Sequence, residues 1–245
     1  MKKSILHIPH AHTNFPNFNG FIVDESTLTN EVQNLTDHFT DELFATENTI
    51  PITAPFSRVF CDVERFRTDE DEVMAQQGMG ATYTHLENGE LMRVLSSTKR
   101  EELLEQYYDI HHEKLTQAVD QQLALYGKAS IIDCHSFPDT PHTRNIDKTP
   151  NRPDICIGTN YDHTDYYILK HTIGFFSSKG FKVGVNAPYK GCIVPLKYYK
   201  KNRNVKSIMI EVNRKLYLNN DFTKSSNFHN IQKICNEYIL SLNNI

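Results

Sequence analysis

The stretch ASIIDCHS, residues 129–136, decides the fold class of this 245-residue chain. Ala129 to Cys134 is an apolar run of the kind that forms a buried strand. Directly before it, residues 97–126 carry apolar side chains at helical spacing, and Gly127 supplies the usual stop signal for a helix. A helix followed by a buried strand is typical of α/β proteins. The stretch therefore predicts an α/β fold.

Elements of the same two kinds lie on either side of this stretch. Further strands are expected at 4–8, 58–63, 181–185 and 205–212, and further helices at 166–178 and 226–242. No linker, low-complexity tract or internal repeat divides the sequence. Because this length is within reach of one hydrophobic core, we predict a single domain over residues 1–245.

Composition excludes several classes of partner. The chain has 30 acidic and 26 basic residues and a net charge of −4, so it lacks the basic excess of a general nucleic-acid binder. No apolar run reaches the length of a membrane span, and the N-terminus lacks the apolar region of a signal peptide. Five cysteines without CxxC spacing argue against a disulfide framework or a cysteine-ligated zinc. We expect a cytoplasmic protein with a small-molecule partner.

Polar side chains follow the ends of several apolar runs. They are His10, Asp62 with Glu64, His135, Asn186 and Glu211. Because strand ends converge on the ligand crevice in open α/β sheets, we expect these five segments to point toward one site.

A catalytic zinc needs three protein ligands and one open position. His10 and His135 are the imidazoles we favour, since both follow strand-like runs in the same way. The third ligand stays open at this point among Asp62, Glu64 and His12.

Glu211 ends a strongly apolar strand, where it could act as general base and then general acid. The alternative is a buried carboxylate paired with Arg214. Burial would raise the pKa of Glu211, whereas a nearby cation would lower it. Arg65, beside Glu64, is suited to bind an anionic substrate through its planar fork of donors.

Two loop segments supply further substrate-binding candidates. Arg144 and Arg152 could hold a second substrate carboxylate, although solvation in a loop explains either arginine equally well. The cluster NAPYKG, residues 186–191, has the irregular backbone of a loop that closes over a site. We expect Asn186 and Tyr189 of that cluster to contact the substrate.

Six blocks in order give the chain a resemblance that covers nearly its whole length. ILHIPHAHTNFP, DVERFRTDED, IIDCHSFPD, RPDICIGTN, VNAPYKG and IMIEVNRKLYL resemble the N-formylglutamate amidohydrolase family. The first block departs from the family, which has His-Ser-Gly where this chain has His10-Ala11-His12. That family is similar in fold to zinc carboxypeptidases and aspartoacylases. The resemblance thus implies a mixed, mostly parallel central sheet flanked by helices.

The resemblance also implies roles for individual residues. The relatives' D-x-H-S-like block supplies the last histidine ligand, which matches His135, and a late strand-end glutamate acts as base, which matches Glu211. The relatives place a metal-binding glutamate three residues after the first histidine, where this chain has Thr13. Among the open candidates Glu64 is then preferred over Asp62.

The implied activity is hydrolysis of N-formylglutamate or a similar small N-acyl amino acid by one zinc per chain, with Arg65 positioning the substrate carboxylate. A metallocarboxypeptidase or amidase acting on short peptides or cell-wall fragments is the first alternative, and a non-catalytic binding protein the second. Nucleophilic catalysis by Cys134 or Ser136 is disfavoured, because His135 and its strand neighbours point to opposite faces.

Overall fold

A computed structural model describes residues 3–242, in which the strands form one six-stranded sheet. The strands are β1 (Ser4–Ile8), β2 (Thr49–Thr53), β3 (Ala129–Phe137), β4 (Ile155–Gly158), β5 (Val183–Val185) and β6 (Val205–Asn213). Their order is β2-β1-β3-β6-β4-β5, and β4 pairs with β6 in the antiparallel sense. The predicted α/β class and mixed, mostly parallel sheet are confirmed. The predicted domain also includes residues 1–2 and 243–245, which lie outside the described residues.

Helices flank this sheet. They are α1 (Glu25–Leu35), α2 (Thr40–Leu43), α3 (Ser97–Leu103), α4 (Ile110–Tyr126), α5 (Tyr166–Ser178) and α6 (Phe228–Leu242). A π-helical segment, Leu104–Asp109, joins α3 to α4, so the helix predicted at 97–126 is continuous. Gly127 ends it in the left-handed conformation, with φ 68°, as its sequence position indicates. Within residues 3–242, none of the helices combines the length and apolar character needed to cross a membrane.

The strand predicted at 58–63 is wrong. The backbone N–H groups of Phe60 and Cys61 both donate to the carbonyl oxygen of Ser57, so the segment folds on itself in turns. Its apolar side chains are buried because they pack against the helical segment 103–108, and not because they join the sheet. The apolar run at 58–63 thus indicated burial correctly but not a strand. The strand that precedes it, β2, was not predicted.

The two faces of the sheet differ in chemistry. Alternate residues of a strand point to opposite faces. Ile132 and Ile210 belong to the face that packs against α2, α5 and α6 in an apolar core. Asp133, His135 and Glu211 lie on the other face, where the register sets His135 directly beside Glu211. The central strands therefore present an ionisable surface on one side only.

Candidate active site

A cavity of about 690 Å³ opens over the ionisable face of the sheet. Residues from six segments contribute its polar lining: His10, Asp37, Arg58 and Arg65, His135, Tyr189, and Glu211 with Arg214. Imidazole, carboxylate and guanidinium groups therefore meet in one enclosed space. This arrangement is typical of a binding or catalytic site.

Three of these residues form what we call the cavity-side cluster: His10, Asp37 and His135. Their candidate ligand atoms all lie within 4.8 Å of one another, and all three side chains are buried. His10 follows β1, His135 lies near the end of β3, and Asp37 comes two residues after α1. The N–H of Asp37 donates to the carbonyl oxygen of His10 at 3.0 Å, which fixes the two residues side by side.

Each imidazole of this cluster has a carboxylate behind it. Nε2 of His10 donates to Asp62 at 2.8 Å, and Nε2 of His135 donates to Asp133 at 3.0 Å. Nδ1 of His135 lies 3.1 Å from Oδ2 of Asp37, and Nδ1 of His10 lies 3.5 Å from the same oxygen. Metal-ligating histidines commonly donate their other ring N–H to a carboxylate in this way.

The cavity-side cluster has an unpaired nitrogen that could bind a cation. Within residues 3–242, Nδ1 of His10 has no hydrogen-bond partner although it is buried. A buried polar atom without a partner is costly unless a ligand satisfies it. Two imidazole nitrogens and one carboxylate oxygen, gathered at short range, are the donor set that zinc prefers in catalytic sites. The cluster therefore suits a divalent metal ion.

Electrostatics point the same way. Burial alone would lower the pKa of His135, but the carboxylates of Asp133 and Asp37 hold it well above its usual value. Burial would likewise raise the pKa of Asp37, yet the imidazoles of His10 and His135 and the charge of Arg214 hold it well below its usual range. The pocket therefore stabilises positive charge beside Asp37.

A second group, the sheet-side cluster, shares His135 with the first; it consists of His7, Glu64, Asp133 and His135. Oδ1 of Asp133 accepts from His7 at 2.8 Å as well as from His135, and its Oδ2 accepts from the N–H of Ile193 at 2.9 Å. The other nitrogen of His7 is hydrogen-bonded to His111 at 2.9 Å. Asp133 and His7 are thus already satisfied by protein groups, whereas Oε2 of Glu64 is buried without a hydrogen-bond partner among the described residues.

Glu64, our preferred third ligand from sequence, lies in the sheet-side cluster. Its Oε2 is 3.3 Å from Nδ1 of His7 and 3.9 Å from Nε2 of His135, and it is not gathered with His10. Burial and the charge of Asp133 raise the pKa of Glu64 well above its usual value. Glu64 therefore lies with His7 and Asp133 and not with the unpaired nitrogen of His10.

The other two candidates for that position lie elsewhere. Asp62 accepts a hydrogen bond from Nε2 of His10, the ring nitrogen that faces away from Asp37. His12 lines a separate pocket, which His38 also lines. Asp37 supplies the third donor of the cavity-side cluster instead. Sequence reasoning missed Asp37 because it searched strand ends, whereas Asp37 follows a helix.

Glu211 stands next to the cavity-side cluster. Among the described residues, its Oε2 has no hydrogen-bond partner. Burial raises the pKa of Glu211 to about 7, even though His135 and Arg214 act against that shift. Arg214 forms its ion pair with Asp37 at 2.8 Å, so the structure does not show the Glu211–Arg214 pair that was the alternative. Glu211 is available to exchange protons in the cavity.

Two arginines offer positive charge to a ligand. Arg65 lines the cavity with 21% of its side chain exposed, and its Nε lies 3.6 Å from Asp62. Arg58 donates from Nε and Nη2 to Asp62 at 3.1 and 2.9 Å. Arg58 was overlooked because it fell inside the segment taken for a strand. Asp62 therefore orients Arg58 as well as His10, and its charge lies close to Arg65.

The other predicted substrate contacts divide into three cases. Tyr189 lines the cavity, so its contact with the substrate stays a prediction. Arg152 is buried and donates to the hydroxyl of Tyr189 at 2.9 Å, so it supports a wall residue. Arg144 also lines the cavity, but its Nη1 donates to the carbonyl oxygens of His85 and Leu86 and so fastens its loop to the protein.

Asn186 lies away from these groups. It is exposed and exchanges hydrogen bonds with Thr159. It follows β5, which is parallel to β4 and therefore runs opposite to β3 and β6. The C-terminal end of β5 therefore points away from the side of the sheet where the C-terminal ends of β3 and β6 carry His135 and Glu211.

Fold and site together define an α/β protein with a histidine- and carboxylate-lined cavity against its central strands. The family model described as N-formylglutamate amidohydrolase matches residues 3–218, and the chain belongs to that family. Among solved structures, the chain is similar in fold to N-formylglutamate amidohydrolase from Ralstonia eutropha JMP134, with TM-score 0.84 and 20% identity over 99% of this chain and 94% of that one. A gene product of Agrobacterium tumefaciens matches with TM-score 0.68 and 14% identity, over 99% and 92% of the two chains. No protein with a curated description matches.

Proposed function

We propose that this member of an amidohydrolase family is a zinc-dependent enzyme that hydrolyses N-formylglutamate or a similar small N-acyl amino acid. One observation carries the proposal. Two buried imidazoles, each backed by a carboxylate, turn their remaining nitrogens toward Asp37 and leave Nδ1 of His10 without a hydrogen-bond partner in the described residues. Membership of the family supports the substrate class.

His10, Asp37 and His135 would hold one zinc ion per chain. When bound, zinc polarises an amide carbonyl and lowers the pKa of water toward neutrality. Asp62 and Asp133 fix the ring orientation of the two histidines, and Arg214 holds Asp37. The protein thus fixes every ligand through a second, buried partner.

Glu211 is the proton carrier of the reaction. It accepts a proton from the attacking water and delivers it to the departing nitrogen, so that formate and the free amino acid are released. A pKa raised to about 7 matches the usual operating pH of such a group. Arg65 and Arg58, both exposed to the cavity, bind the carboxylate of the substrate.

The test is elemental analysis of the purified protein together with formate release from N-formylglutamate. We expect about one zinc per chain in the wild type and its loss in His10→Ala and His135→Ala. His12→Ala is the matched control, because His12 lies two positions from His10 yet lines the other pocket. Metal bound without formate release would refute the substrate, and absence of metal from active protein would refute the mechanism.

A further inference from the structure

The cavity is larger than the substrate proposed above requires. Its volume of about 690 Å³ lies within the roughly 300–1,000 Å³ of sites that enclose drug-sized ligands. N-formylglutamate is much smaller than such ligands, and its acyl group is a single carbon. The surplus space must therefore be explained by something other than the formyl group.

Large apolar side chains surround the opening of this cavity. We call Phe66, Val73, Ile146 and Leu196 the apolar mouth; all four are exposed and all four line the cavity. They come from three separate segments of the chain, so their meeting is not the by-product of one amphipathic helix. Exposed apolar side chains that converge on one opening are typical of a ligand-binding surface.

Apolar surface continues from the mouth into the cavity. Met74 follows Val73, and Met79 and Leu35 line the interior beyond it. Methionine side chains adapt to ligands of different shape, because they are flexible and polarisable. The charged groups, Arg65 and Glu211 among them, lie in the same space. The same cavity thus combines charged groups in its interior with apolar side chains that extend to its opening.

We infer that the enzyme acts best on N-acyl amino acids that carry an apolar substituent of several carbons. This inference rests on the amide hydrolysis proposed above. Water adds across the amide C–N bond, and the carboxylic acid and free amine are released. The apolar substituent lies along the mouth and is either the acyl chain or the side chain of the amino acid. Burying each methylene there raises kcat/KM by up to about fourfold.

Two substrate series separate the two sources of the substituent. N-formyl-, N-butyryl- and N-hexanoylglutamate extend the acyl chain, whereas N-formylalanine and N-formylleucine extend the side chain. We expect kcat/KM to rise along one of these series. A fall along both, in an enzyme that hydrolyses N-formylglutamate, would overturn the inference and leave the proposed function intact.

Surface variants test whether the mouth makes these contacts. Val73→Ser and Ile146→Ser should reduce the ratio of kcat/KM for the longer substrate to that for the shorter one. Leu125→Ser is the matched control, because Leu125 is 70% exposed, Val73 is 68% exposed, and Leu125 does not line the cavity. An unchanged ratio in both mouth variants would contradict the inference.

A binding measurement keeps the inference testable if no substrate is hydrolysed. N-methanesulfonyl- and N-hexanesulfonylglutamate, and N-methanesulfonylleucine beside N-methanesulfonylalanine, resist amide hydrolysis and can be titrated calorimetrically. Tighter binding of the larger member of either pair without any turnover would support the apolar mouth and refute the proposed activity. Equal or weaker binding of both larger members would refute the apolar mouth.

Discussion

The two clusters that share His135 contain the same chemical groups but differ in how the protein engages their histidines. In the sheet-side cluster, both oxygens of Asp133 accept hydrogen bonds, and both nitrogens of His7 are engaged. In the cavity-side cluster, the described residues leave Nδ1 of His10 without a hydrogen-bond partner. Oε2 of Glu64, in the sheet-side cluster, is also buried without a hydrogen-bond partner among the described residues, but it lies 3.3 Å from Nδ1 of His7. The imidazole of His7 is thus engaged at both nitrogens, whereas that of His10 keeps Nδ1 open for a ligand.

The difference shows why composition alone does not identify a metal site. Histidines and carboxylates gathered within 4.8 Å occur on both sides of His135. Only on the cavity side are imidazole nitrogens turned toward an oxygen of Asp37 while their far nitrogens are bonded to other carboxylates. The direction of each hydrogen bond decides which group binds and which group supports.

The largest expected effect comes from Glu211, the proposed proton carrier beside the cavity-side cluster. Glu211→Gln should lower kcat by about 10²–10⁴-fold, because an amide cannot accept the proton. Elemental analysis should still find the metal, since Glu211 is not one of the three ligands. Formate release at a wild-type rate would remove Glu211 from the mechanism.

A pair of carboxylate variants, one in each cluster, tests most directly which of the two clusters binds the metal. Asp37→Asn should weaken metal binding by more than the roughly 10–100-fold typical of an outer carboxylate, because it removes a direct ligand. Glu64→Gln should leave metal binding close to the wild-type value. Competition with a chelator measures both, and the reverse order would make Glu64 the ligand and the sheet-side cluster the metal site.

Asp133→Asn asks how much the sheet-side cluster contributes. Asn is uncharged and replaces one acceptor oxygen with a donor NH₂ group, so it cannot accept from both the histidines at Oδ1 and the N–H of Ile193 at Oδ2, and metal affinity should fall by about 10–100-fold. The same chelator competition detects this, with thermal melting to show that the variant is folded. A loss as large as that of Asp37→Asn would mean that Asp133 is more than a support.

Glu31→Gln is expected to have the smallest effect on activity. It tests whether a raised pKa by itself identifies a catalytic residue. Burial raises the pKa of Glu31 to about 7, the value that Glu211 also has, but Glu31 lies on α1 outside both clusters. A hydrogen bond from the backbone of Glu87 and the charge of Arg144 lower this pKa, whereas the charge of Glu87 raises it. We expect Glu31→Gln to leave kcat unchanged, since an unusual pKa is not in itself a sign of catalysis.

The stability of this variant should depend on pH. An acid whose pKa is raised in the folded state favours folding below its unfolded pKa, near 4.5, and loses that advantage as the pH rises through about 7. Glu31→Gln should therefore gain up to about 3 kcal/mol over the wild type at pH 8 and little at pH 4. Urea unfolding at the two pH values measures the difference, and a gain that does not change with pH would contradict the assignment.

The sequence predicted the centre of the fold and part of the site. His10, His135 and Glu211 were found because each follows or ends an apolar run, and strands β1, β3 and β6 are parallel neighbours. Asn186 was placed with them because the sequence does not reveal that β5 runs the other way. Strand direction depends on which strands pair, and pairing is a long-range property.

Two site residues could not be found by this reasoning. Asp37 follows a helix and reaches the site only because its backbone N–H bonds to the carbonyl of His10, a contact between loops. Arg58 lies in a segment whose buried apolar residues imitate a strand. Both are positioned by tertiary contacts in irregular chain, where local periodicity carries no signal.

Asp133 is hydrogen-bonded to two parts of the molecule, the histidine His135 and the wall of the cavity. One oxygen orients His135, and the other accepts from the N–H of Ile193 in the cavity wall. A mutation that shifts this part of the wall would disturb the histidine at the same time. Substitutions at exposed side chains such as Val73 and Ile146 should instead change the cavity wall without disturbing Asp133 or His135.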